Sequence, residues 1–141
     1  LGRASRTAPR LITSGAPVPP GLSGGITPLG TLASLAGAVL IAMLASLGAW
    51  LGWQPTHPAI AFGGVVAAGF TGGLLDSLLG ATVQVVHHCP NCNHPTESLL
   101  HTCGTPTIRR RGIPFVTNDL VNVAATLAGG AIAALIIALT L

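Results

Sequence analysis

The chain has 141 residues, half of them hydrophobic and only 6% charged, with a mean hydropathy of +0.72. Soluble domains carry about 25% charged residues, so this composition excludes an ordinary soluble domain. It points to a helical membrane protein, with 19 glycines to let helices approach closely. The net charge of +3 comes from six arginines against three acids. No basic face interleaved with aromatics exists, so no nucleic acid is expected as a partner.

Residues 1–28 read as a loop rich in Gly and Pro, because "GAPVPPGLSGG" breaks any regular element. The chain opens on Leu1 rather than Met and shows no signal peptide, so it reads as a piece of a longer protein. Thr27 followed by Pro28 is an N-cap and first-turn pair. A first transmembrane helix is predicted over 29–53, with Ser34, Gly37, Ala38, Ala45, Gly48 and Gly52 as a small-residue packing stripe. Trp50 and Trp53 mark an interfacial end. After the turn "QPTHP", a second transmembrane helix is predicted over 58–86. A polar loop rich in Cys, His and Arg covers 87–117, and a third transmembrane helix covers 118–141.

The expected fold is thus an all-α membrane protein: about three transmembrane helices and a zinc-stapled loop. The competing reading is a buried helical hairpin in a soluble protein, which the length of the apolar runs disfavours. Arg3, Arg6 and Arg10 lie in the first loop and Arg109, Arg110 and Arg111 in the second. The positive-inside rule makes both loops cytoplasmic.

At about 100° per residue, Gly69, Gly72, Gly73, Asp76, Ser77, Gly80 and Gln84 share one arc of the second helix, and Thr82 falls outside it. In the third helix Asn118, Asp119, Asn122, Thr126, Gly129 and Gly130 share an arc, apart from Leu120, Val121 and Leu127. Topology puts Asp76 near the cytoplasmic boundary, about 25 Å along its helix. Asp76, Asp119, Asn118 and Asn122 are therefore expected to converge there as catalytic residues. Carboxylates hold Mg²⁺, which binds phosphates while keeping waters. The glycine loop (Gly21, Ser23, Gly24, Gly25), Ser77, Thr82 and Gln84, and Arg109, Arg110 and Arg111 are the expected phosphate- and substrate-binding set. This inventory suits phosphoryl chemistry at a membrane surface. No Walker A motif occurs. Each feature also has a plain structural reading: Asp76 bonding a neighbouring helix, Asn118–Asp119 capping the third helix, "PPGLSGG" serving as a connector.

The sharpest local motif is "CPNC" with "HTC" downstream. Cys89 and Cys92 have knuckle spacing, and His101 with Cys103 completes a Cys₃His set that suits structural Zn²⁺. His94 is a spare candidate; His87 and His88 read as interfacial. The other reading is a free or redox-active cysteine pair.

Together "PRLITSGAPVPPGLSGGIT", "DSLLGATVQ", "CPNC…HTCG" and "NDLVN" resemble the integral membrane family known as domain of unknown function 92. Its members include a plant phytyl-phosphate kinase and animal transmembrane protein 19. The resemblance covers nearly the whole chain. It places Pro20, Gly21, Ser23, Gly24, Gly25, Asp76, Ser77, Gly80, Thr82, Gln84, Asn118, Asp119 and Asn122 in the family's motifs. It implies a kinase that moves a phosphoryl group from a nucleoside triphosphate to a prenyl monophosphate. The family also has an N-terminal half with further spans and an acidic segment, so that half is an expected partner. Three other functions remain open: a membrane transporter or permease, a CTP-dependent lipid cytidylyltransferase, and a non-enzymatic membrane scaffold.

Overall fold

A computed structural model describes residues 5–140. Arg3, in the first arginine cluster, and Leu141, the expected end of the third helix, lie outside them. Three long helices dominate: α1 (Pro28–Trp50), α2 (Pro58–Thr82) and α3 (Asn118–Ala138). All three are long and apolar enough to cross a membrane. Leu32, Leu40, Leu44, Leu127 and Leu135 are exposed on their outer faces, which suits lipid and not the buried hairpin of a soluble protein.

Each helix starts where local chemistry directs it. Thr27 accepts from the Gly30 amide at 3.0 Å and Pro28 opens α1. His57 Nδ1 accepts from Ala59 at 3.3 Å and Pro58 opens α2. Thr117 caps α3 through the Leu120 amide. A cap of this kind contributes about 1 kcal/mol. Trp50 and Trp53 are 73% and 79% exposed at the far end of α1, as interfacial residues should be.

α2 packs between the other two helices. A Cβ on Gly69 would lie 3.2 Å from Ala38, and one on Gly73 would lie 2.9 Å from Ser34 Oγ. On the other side, a Cβ on Gly72 meets the Ala125 carbonyl at 3.3 Å, and one on Gly129 meets the Ala68 carbonyl at 3.2 Å. Both pairings descend on one helix as they ascend on the other, so neighbours are antiparallel. The expected small-residue faces are real but shifted. Gly37 faces open space and Gly52 lies past the end of α1 with φ +77°, while Ala42 is fully buried. In α3 the buried residues are Val121 and Ala125, while Asn122, Thr126, Gly129 and Gly130 of the polar arc line a groove against α2.

The connecting segments are more ordered than loops. β1 (Arg10–Leu11) pairs antiparallel with β2 (Gly25–Ile26), which clips the two ends of the glycine loop together. α2 stops at Thr82, four residues short of the expected Val86. Val86 and Cys89 instead bound a strand, β3 (Val86–Cys89). It is the centre of an antiparallel sheet with β4 (His94–Thr96) and β5 (Ile108–Arg111), ordered β4-β3-β5. Val85 donates to Val116 at 2.8 Å and Ile113 to Val83 at 2.9 Å. These long-range bonds compete with one more turn of helix and win.

The glycine loop sits on the end of α2. Gly24 has φ +82°, and a Cβ there would lie 2.5 Å from Ala81 backbone. Gly24→Ala is expected to cost about 1–3 kcal/mol through backbone strain and overpacking. Thermal unfolding in detergent should show a lower midpoint for Gly24→Ala, and none for Gly63→Ala, where the added methyl meets nothing within 4 Å.

Candidate functional site

Two cavities meet at Asp76. The first, about 440 Å³, lies under the glycine loop between α1 and α2. Gly21, Ser23, Gly24 and Gly25 line it from above, Thr27 and Thr31 from the start of α1, and Asp76 and Ser77 from α2. The second, about 590 Å³, is a mostly apolar groove between α2 and α3, lined by Val65, Ala68, Ala125 and Gly129 among others. Asp76 and Gly73 line both. Asp76 Oδ1 is buried with no hydrogen-bond partner. It lies about 9 Å before the end of α2, near the helix terminus that the glycine loop covers. A buried carboxylate oxygen without a donor is costly, which sets Asp76 apart from the other residues that line the two cavities.

The other expected catalytic residues separate. Asn122 lines the groove with Asp76. Asn118 and Asp119 are exposed in the first turn of α3 and line neither cavity. Asp119 therefore shares neither cavity with Asp76. Among the described residues, the one group of three or more Cys, His, Asp or Glu side chains drawn together is the cysteine cluster. A two-carboxylate Mg²⁺ site gains no support from this arrangement.

The phosphate-binding set also divides. Thr82 is exposed, and its hydroxyl donates to the Leu78 carbonyl at 2.7 Å, within its own helix. Gln84 lies beyond α2 and is 1% exposed; its Nε2 donates to Ser23 Oγ at 2.8 Å. Arg111 donates to the carbonyl of Ala81 and, at 3.5 and 3.4 Å, to those of Gly80 and Ser23. It satisfies the last carbonyls of α2, which have no partner inside the helix. Arg109 donates to Gly112 at 3.4 Å. It and Arg110 are exposed and line none of the cavities described. Two contributors were not singled out from the sequence. Thr31 lines the upper cavity; its spacing from Thr27 and Ser34, one turn each way, was the available signal. Glu97 accepts from the Ser23 hydroxyl across 74 residues of chain, and nothing local announces that contact.

The cysteine cluster forms as expected. Cys89, Cys92, His101 and Cys103 place their ligand atoms within 4.8 Å of one another. Cys89 and Cys103 sulfurs are 3.6 Å apart, and His101 Nδ1 is 3.1 Å from Cys103 Sγ. Ideal tetrahedral Zn²⁺ with ~2.3 Å bonds needs sulfurs about 3.8 Å apart, so the donor set fits a metal such as zinc. β3 supplies Cys89, and the hairpin turn brings the Cys92 amide to its sulfur at 3.5 Å. Asn93 takes φ +50° in that turn, a conformation asparagine tolerates. The Thr105 hydroxyl beside Cys103, together with His101, pulls the Cys103 thiol down to about 5. The hydrogen bond to Cys103 holds Cys92 up at about 11. His94 turns away to its neighbour's carbonyl at 2.8 Å, so it is not a fifth ligand. His88 bonds Asn93 at 2.8 Å, and His87 is buried with Nδ1 unpartnered. The purified protein should carry one zinc per chain. By metal analysis, Cys89→Ser should lose it while His94→Ala keeps it.

Comparison with known proteins agrees with this architecture. Residues 1–130 match the family described as Integral membrane protein DUF92. The chain is 32% identical over 126 residues to Protein PGR of Arabidopsis thaliana, which covers 83% of this chain and 44% of that protein. The chain thus spans less than half the length of this curated relative. No solved structure matches. Three spanning helices and a match over nearly the whole sequence lead to one conclusion: the chain belongs to the DUF92 family of integral membrane proteins.

Proposed function

We propose that this chain is part of an isoprenoid-phosphate kinase, transferring a phosphoryl group from a nucleoside triphosphate to a prenyl monophosphate. One observation carries the reading: Asp76 stands where a polar cavity under a glycine loop opens into an apolar groove between helices. Such a junction suits an amphiphile, with its phosphate in the first space and its hydrocarbon tail in the second.

In this reading a phosphate oxygen of the prenyl monophosphate attacks the terminal phosphorus of the nucleotide. A new P–O bond forms, the bond to the nucleoside diphosphate breaks, and the products are a prenyl diphosphate and that diphosphate. Catalysis of this kind is mostly positioning and electrostatics. Mg²⁺ carried in with the nucleotide would be held by Asp76 and the phosphates themselves, and would offset their charge. Thr31 and Ser77 present hydroxyls to the same cavity, and Asn122 marks where the groove meets it. The Cys₃His site leaves no open position on zinc and is structural. The N-terminal half found in the family would close the site from its open side.

The positive-inside rule, applied to both arginine clusters, supports a cytoplasmic glycine loop and metal module. In intact cells an impermeant thiol reagent should label a cysteine placed at Pro55 and spare one placed at Leu99. The opposite pattern would invert the orientation.

For the reaction, the full-length protein in lipid should convert a prenyl monophosphate to the diphosphate. Asp76→Asn should lower turnover at least about 100-fold, while Asp119→Asn stays within a few-fold of wild type. Undiminished turnover in Asp76→Asn would sink the assignment, and a CDP-lipid product would make the protein a cytidylyltransferase instead.

A further inference from the structure

The cysteine module reaches the glycine loop at Ser23 through two side chains, Arg111 from β5 and Glu97 from just beyond β4. Glu97 is one of only three acids in the chain, and the other two sit in helices. The Ser23 hydroxyl donates to Glu97 Oε1 and accepts from Gln84 Nε2 at 2.8 Å. A serine hydroxyl has a single proton to give, so with both partners in place Ser23 is fully committed. Its carbonyl accepts from Arg111 at 3.4 Å. Three segments therefore converge on Ser23: the end of α2, β5, and the stretch after β4.

Glu97 approaches from the back of the loop. It lines an outer cavity of about 340 Å³ with Pro19, Gly21, Leu22 and His101, and it does not line the inner cavity that holds Asp76. The loop is thus a wall between two spaces, gripped on its outer side. Glu97 is four residues from the ligand His101; it directly follows β4, which pairs with β3, and it precedes a stretch bonded to residues 105–107. Thr107 contacts Ser98 through its hydroxyl at 2.7 Å and Leu99 through its amide at 2.9 Å. Leu99 and Leu100 are 75% and 60% exposed, so apolar burial does not hold this stretch. Beyond the β3–β4 pairing, a metal bound by Cys89, Cys92, His101 and Cys103 would tie the far end of this stretch, His101 and Cys103, onto β3 as well.

We propose that Glu97 is a positioning residue through which metal binding at the Cys₃His site sets the glycine loop over the Asp76 cavity. Metal-loaded protein presents Glu97 to Ser23 and keeps the loop seated. Metal-free protein releases Glu97 and lets the loop open. The inference rests on the metal reading of the cluster and is independent of the kinase reading, since neither its cause nor its readout involves phosphoryl transfer.

Hydrogen exchange read by mass spectrometry on the whole protein in lipid nanodiscs tests it, because amide protection reports local opening. Stripping Zn²⁺ with a chelator should speed exchange in residues 20–26 at least tenfold, and re-adding Zn²⁺ should reverse this. Zinc-loaded Glu97→Ala should show the fast loop while keeping one zinc per chain and wild-type protection in β3. A loop indifferent to zinc removal, or one as protected in zinc-loaded Glu97→Ala as in wild type, would overturn the proposal. Ser23→Ala leaves every metal ligand in place and covers the case in which Glu97→Ala fails to hold zinc. Its loop should exchange fast with or without chelator, and a loop that still responds to zinc would equally overturn the proposal.

Discussion

The guanidinium of Arg111 bonds three parts of the chain that lie far apart in sequence. The last carbonyls of any helix lack partners within it, and near a membrane boundary, where water is scarce, leaving them bare is costly. Arg111 donates to the carbonyls of Gly80 and Ala81 and to that of Ser23. One planar cation thereby joins the end of α2, the glycine loop and β5. Lysine, a point charge without the rigid fork, could not span the three in the same way. Gly24 settles directly on Ala81, and Gly112, with φ +81°, lets its backbone run against the Gln84 carbonyl. Both glycines serve the approach that Arg111 secures.

With the loop fixed there, the cost of Asp76 becomes understandable. An acid within a spanning helix is expensive at mid-depth and cheaper near an interface. Asp76 sits close to the end of its helix under a roof of polar backbone, and Thr31 and Ser77 share its cavity. The apolar groove on its other side exists because glycines and alanines face each other across α2 and α3 and leave volume that larger side chains would fill. Close helix packing and an open groove thus come from the same small residues. The cysteine module extends this arrangement outward: its sheet supplies Arg111 from β5 and places Glu97 just beyond β4.

Much of this could be read along the chain. Apolar runs predicted three helices, and Thr27–Pro28 and Asn118–Asp119 marked two starts to within a residue or so, the third helix being capped by Thr117. The Cys-x-x-Cys knuckle with His101 and Cys103 predicted a metal cluster that the fold assembles. The glycine loop and Asp76 were found as neighbours because helix periodicity and antiparallel topology place them at the same end. The failures are as regular. Val85 and Val86 read as more helix because they are apolar, yet they are buried in and beside a strand. Gln84 was put on a helix face and lies past the helix end. Asp119 was assigned to the site with Asn122, but it is exposed in the first turn of α3, ahead of the part of the arc that lines the groove.

Local chemistry therefore determined the spans, two of the helix starts, the metal ligands and the acid at the mouth of the groove. Each of these depends on neighbours within a turn or a hairpin, and such patterns survive in a one-dimensional string. Tertiary structure alone decided where α2 stops, that Arg111 caps α2, and that Glu97 grips Ser23. Those outcomes are set by bonds between residues 30 to 88 positions apart. An arginine looks the same in sequence whether it faces a ligand or a helix end; only the folded chain brings the unpaired carbonyls that claim it.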